Sequence, residues 1–127
     1  RPWQHVLDVL NGYMCFIKYA YYKKKYNSIL NFGPRERGIS VLQIILFFKK
    51  NIDQNLKVSK NKNLKFSETN KLNLNTNLTK KILNFNLKWN IKKSLRETFS
   101  WYKDFLNKKN VYEITALQIK KYFKNEI

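Results

Sequence analysis

Arg1-Pro2-Trp3-Gln4-His5-Val6-Leu7 opens the chain and runs without a break into an amphipathic pattern that lasts to about Lys25. Its first five residues group a guanidinium, two aromatic rings and a carboxamide, the chemistry of recognition. From there, apolar residues recur at Val6, Leu10, Tyr13, Ile17 and Tyr21, steps of three or four that make one face of a helix. Asp8, Asn11 and Lys18 fall on the opposite, solvent-facing side. Recognition residues therefore sit beside an element expected to be buried. No methionine precedes Arg1, and the stretch reads as the interior of a longer protein.

Working outward, Ser28 to Phe32 is short and apolar and is broken by Gly33-Pro34, which predicts a strand ending in a loop through Gly38. Ser40-Val41-Leu42-Gln43 has the spacing of a capping box, so a second helix is expected to run to about Asn51. Leu56 to Val58 suggests another short strand, and residues 59 to 71 a polar surface loop. Leu72 and Leu74 alternate with polar neighbours, an extended piece before a short helix from Thr76 to Leu83, with Asn75 suited to cap it. Phe85 to Trp89 reads as a packed connection. Ile91, Leu95, Phe99, Tyr102 and Leu106 mark a long amphipathic helix, and Thr115-Ala116-Leu117-Gln118 offers a capping box for a last helix ending near Phe123.

The chain's 127 residues suffice for one domain or part of one, with a modest core. At 43% hydrophobic and 16% aromatic it is too apolar to be disordered. The net charge of +18, from 26 Lys and Arg against 8 Asp and Glu, would suit an anionic partner. Its lysines are nevertheless spread along the chain, as at Lys49-Lys50, Lys80-Lys81 and Lys120-Lys121, and mostly close expected helices, where a cation complements the dipole. Asparagine is overused in parallel, a bias that an AT-rich genome would produce. A solvated basic surface is the simpler reading, with no specific nucleic-acid partner. Cys15 stands alone, which excludes an internal disulfide and a cysteine zinc site and suits a reduced, cytoplasmic setting. The longest apolar run, Val41 to Phe48, falls well short of the roughly 20 residues of a membrane helix, so no membrane partner is expected.

The chemistry-bearing motifs are mostly missing. Gly12, Gly33 and Gly38 are the only glycines, too few and too scattered for a phosphate-cradling loop. His5 is the only histidine, which leaves no partner for a histidine relay or a His-paired metal site. Tyr19 and Lys23, like Tyr21 and Lys25, have a Tyr-x-x-x-Lys spacing that lets an ammonium lower a phenol's pKa. In so tyrosine- and lysine-rich a stretch the match is expected by chance, and no cofactor fold precedes it.

Arg1 to Leu7, Gly12-Tyr13, Asn31-Phe32-Gly33-Pro34 and a tail containing Trp89-Asn90-Ile91, Trp101-Tyr102-Lys103 and Thr115 to Ile119 together resemble the CDP-glucose 4,6-dehydratase family of extended short-chain dehydrogenase/reductases. Leu72 to Asn75, with Lys80 and Leu83, is similar to that family's Leu-x-Leu-Asp segment and short helix. The resemblance spans nearly the whole chain and is weakest over residues 35 to 67.

It implies that residues 1–127 form one incomplete domain, the carboxyl-terminal substrate-binding portion of the enzyme. The fold class expected is α/β, mainly helical with a few short strands, the Rossmann region being missing. In the family that region holds the glycine-rich NAD loop and the catalytic Tyr and Lys, so this chain alone should be inactive and should bind no NAD. The implied parent, a cytoplasmic homo-oligomer serving polysaccharide biosynthesis, is a lyase. It oxidises the sugar of CDP-glucose at C4, eliminates water across C5 and C6, and returns the hydride to C6.

Within these residues the resemblance assigns substrate binding. Arg1 matches an arginine that contacts the diphosphate, whose oxygens a guanidinium fork can hold, although a terminal arginine also suits a surface ion pair. Gln4 and His5 are further candidates, with only some of this segment able to face the ligand if it is extended. Trp3 suits the core better than a stacking platform. The family's second substrate segment corresponds to Ser67-Glu68-Thr69-Asn70-Lys71, which keeps a glutamate and an amide but lacks the usual imidazole and phenol. Glu68 could accept from ribose hydroxyls and Asn70 could bond a phosphate or base, or both could be exposed loop residues. Two other classes remain open: a basic nucleic-acid-binding module, and a non-catalytic interaction or oligomerisation remnant.

Overall fold

The structure, a computed structural model, describes residues 1–23, 29–34, 38–59 and 72–124. Its elements are five helices: α1 (Val6–Lys23), α2 (Val41–Asn51), α3 (Asn77–Leu83), α4 (Ile91–Leu106) and α5 (Val111–Phe123). The mainly helical expectation holds, but the strands do not form: among the described residues, 29–34, 56–58 and 72–76 are irregular. A strand needs a backbone ladder, and where 31–33 meets 74–75 the contact runs through the Asn31 amide and the Leu74 side chain instead.

Local chemistry explains the helix starts. Ser40 and Gln43 make the expected capping box, Gln43 N–H donating to the Ser40 hydroxyl at 3.1 Å and Ser40 N–H to the Gln43 carbonyl at 2.8 Å. Asn75 accepts from the Asn77 N–H at 3.1 Å, one residue ahead of Thr76, which makes no side-chain cap bond. Asn90 caps α4 through Lys93 N–H. The expected box at Thr115 and Gln118 is not a cap. Asn110 caps α5 by accepting from Tyr112 and Glu113, so Thr115 and Gln118 lie inside the helix and reach α4 instead.

Those two residues set the register of an antiparallel α4–α5 hairpin. The Trp101 indole donates to the Thr115 hydroxyl at 3.0 Å, and the Gln118 amide to the Glu97 carbonyl at 2.9 Å. Lys108 takes a left-handed conformation (φ 58°) in the tight connection. α2 lies on the same hairpin, with Phe47 stacked on Phe99 and Phe48 edge-on to it.

α1 is rotated relative to the sequence expectation. Its buried residues are Leu7, Asp8 and Gly12, whereas Leu10, Ile17 and Tyr21 are 49%, 59% and 78% exposed. Gly12 decides this phase, because its bare backbone lets the Phe32 ring lie 2.5 Å from where a Cβ would stand. Phe32 in turn packs edge-on against Tyr13 and Phe85. The central cluster is small: Leu7, Trp89 and Tyr122, with Phe123 against it, joins the start of α1 to the end of α5. Cys15 is free and half-buried. No helix among the described residues is long and apolar enough to cross a membrane.

Candidate functional site

The amino-terminal segment folds back on the loop before α2. The Arg1 amino group and the Trp3 indole both donate to the Ile39 carbonyl, at 2.9 and 3.1 Å. Gly38 permits this approach, since a Cβ there would overlap the Arg1 carbonyl. The Trp3 ring, 40% exposed, is thereby held over a cavity of about 310 Å³. Three other segments complete the walls: Asn31 with Gly33-Pro34, Thr76 with Thr79 on α3, and the connection from Phe85 to Ile91.

The wall is built by bonds within the fold. Thr79, 2% exposed, donates its hydroxyl to the Asn31 carbonyl at 2.7 Å, and the Asn31 amide donates to the Asn75 carbonyl at 3.2 Å. The cavity thus presents the Trp3 ring, the exposed carboxamide of Asn86 and Lys88 as its accessible chemistry. The Lys88 ammonium lies over the Tyr122 and Phe123 rings, 4.8 and 4.5 Å from their centroids.

Of the sequence candidates, Arg1 sits at this rim through its backbone, while Gln4 and His5 face inward. The Gln4 amide donates to the Phe32 carbonyl at 3.0 Å, and its buried Oε1 has no hydrogen-bond partner among the described residues. His5 is 4% exposed, its ring edge-on to Trp89 at 4.7 Å, and its Nδ1 accepts from the Leu7 N–H at 3.2 Å. Burial lowers its pKa below 6.5 even though Asp8 and Glu97 pull the other way. Glu68 and Asn70 lie outside the described residues. Trp3, placed with the core by its composition, instead borders the cavity.

Asp8 is the residue that sequence reasoning misplaced. Expected on the solvent side of α1, it is fully buried and accepts from the Tyr122 hydroxyl at 2.6 Å and the Lys88 N–H at 2.8 Å. Its position in the first turn, where a carboxylate complements the helix dipole, was the available signal. Glu97 is the second buried carboxylate. Burial would raise its pKa, but hydrogen bonds from Lys121 (2.6 Å) and Lys93 (2.7 Å) outweigh that and hold it below 4.5. Beside it an open groove between α4 and α5 is lined by Trp101, Asp104 and Glu113, with Asp104 paired to Lys109.

Of the two Tyr-x-x-x-Lys spacings, Tyr19 and Lys23 lie in the last turns of α1. Tyr21 is 78% exposed at the far end of α1, and Lys25 lies outside the described residues. No cluster of His, Cys, Asp or Glu suited to a metal occurs among the described residues. Compared with known proteins, the chain matches no family model, no curated sequence and no solved structure.

Proposed function

We propose that this chain is the substrate-binding, carboxyl-terminal portion of a CDP-glucose 4,6-dehydratase-like enzyme. What supports the reading is convergence around the cavity. Trp3 from the first segment, Asn31 and Gly33-Pro34, Thr76 and Thr79 near the short-helix segment, and Trp89-Asn90-Ile91 all border it. These belong to, or adjoin, the pieces of sequence that carry the resemblance.

On this reading Arg1 holds the diphosphate by charge-assisted hydrogen bonds at the rim, and the Trp3 face packs on the remainder of the nucleotide sugar. Gln4 and His5 support the segment from behind. Gly12 is covered by Phe32, Gly33 abuts Leu74, and Gly38 abuts the Arg1 backbone, so none of the three glycines offers an open phosphate cradle, which supports placing NAD elsewhere in the parent. A Rossmann region beyond this chain carries the cofactor and the catalytic Tyr and Lys, in a cytoplasmic, homo-oligomeric parent. This chain supplies grip and no chemical step.

Titration of the chain with CDP-glucose, CDP, glucose and pyrophosphate, followed by indole fluorescence, tests the reading. Saturable quenching by CDP-glucose is expected, lost in Trp3→Ala and weakened about tenfold in Arg1→Ala, roughly the value of one charge-assisted contact. No sugar product should form when NAD is added. The net charge of +18 favours a second reading, a nucleic-acid-binding module. Absence of any response to CDP-glucose, together with tight oligonucleotide binding that falls steeply with salt, would replace the first reading with the second.

A further inference from the structure

We infer that His5 is a proton-operated latch: its neutral imidazole closes the first turn of α1 and backs the Trp89 wall of the cavity, and protonation releases both. The geometry fixes the protonation state that closes the latch. Nδ1 accepts from the Leu7 N–H, so this nitrogen must carry a lone pair and the ring proton must reside on Nε2. A proton taken from solvent can add only at Nδ1. It would set a second N–H against that of Leu7, two donors facing each other in a site 4% exposed to water. The same ring lies edge-on to Trp89, which lines the cavity, so displacement of His5 removes the support behind that wall.

Asp8 and Glu97 act on it directly, and the titratable groups that reach it through them come from each neighbouring element. Asp8 is on α1, Glu97 and Lys93 on α4, Lys121 and Tyr122 on α5, and Lys88 in the connection before α4. Asp8 and Glu97 favour the imidazolium, but Tyr122 and the Lys88 N–H engage Asp8, and Lys93 and Lys121 neutralise Glu97. Desolvation therefore prevails and the folded imidazole titrates below 6.5. The stabilisation is complete above 6.5 and is lost as pH falls toward the folded value. Glu97 is likewise lowered, from 4.5, by its bonds to Lys121 and Lys93, so the imidazole resonance itself, not the overall acid response, identifies the His5 step.

Because His5 is the only histidine, one imidazole Cε1–H resonance reports its titration. That resonance, the Leu7 amide signal and indole fluorescence should be followed together from about pH 7.5 downward until the imidazole is fully protonated. The expected result is one coincident transition centred below 6.5, with loss of the Leu7 amide protection and a shift of indole emission. His5→Asn keeps a capping side chain without a titrating proton, and His5→Phe keeps a ring against Trp89. Both variants should hold a constant indole signal across that range. The latch is overturned if His5→Asn retains the indole transition, or if the wild-type imidazole titrates without change at Leu7 and the indoles. This test uses no substrate, so its failure leaves the proposed dehydratase reading untouched.

Discussion

At the scale of single residues, Asp8 carries more of the structure than its exposed-looking position in the sequence suggests. It ties the start of α1 to the end of α5 and to the connection between α3 and α4. Asp8→Ala should cost about 3 kcal/mol in urea unfolding, since it removes the buried acceptor shared by the Tyr122 hydroxyl and the Lys88 N–H. Tyr122→Phe should cost only about 1 kcal/mol, because the carboxylate keeps its backbone donor. Equal losses in the two variants would show that packing, rather than the carboxylate, holds this junction. Gly12→Ala pits a helix-propensity gain of about 1 kcal/mol against overpacking on Phe32. That ring is held edge-on between Tyr13 and Phe85 and cannot yield cheaply, so net destabilisation of about 1 kcal/mol is expected. Glu97 supplies a separate acid limb. Its folded pKa is depressed, so its contribution is present above 4.5 and lost as pH falls through the lower folded value. In Glu97→Gln, pH titration of stability should lose that limb while the His5 transition remains.

At the scale of elements, helix positions were readable because their signals are local. The Ser40–Gln43 box, the Asn90 cap and the steps of three and four require only neighbouring residues. Asn110→Ala should therefore destabilise the α4–α5 hairpin by about 1 kcal/mol, checked by thermal unfolding, whereas Thr115→Ala should leave the start of α5 intact and loosen Trp101. The box at Thr115 misled for a physical reason: a hydroxyl and a carboxamide three residues apart bond equally well to a facing helix. The expected strands were the least legible elements. Alternating apolar residues signal a surface to be covered, and side-chain packing, as of Phe32 against Tyr13 and Phe85, covers it without a backbone ladder.

At the scale of the whole molecule, the described fold buries little and exposes much. Beyond the small central cluster, Met14, Ile17, Tyr21 and Tyr22 on α1 are 65%, 59%, 78% and 71% exposed. The chain should bind a hydrophobic dye and self-associate at micromolar concentration. Substituting Ile17→Glu with Tyr21→Lys, an ion pair across one turn, should reduce dye binding and raise the soluble fraction with helical circular dichroism unchanged. Collapse of the helical signal would mean that this face is packed inside the fold. The sequence by itself determined the number of helices and, apart from the start of α5, their approximate bounds, because caps and periodicity act within a few residues. Only the tertiary structure decided which side of α1 faces inward, that Asp8 and His5 lie at the centre, and that Trp3 stands over a cavity. Those outcomes depend on contacts across up to 114 positions, made possible by close approaches at Gly12 and Gly38 that no local pattern encodes.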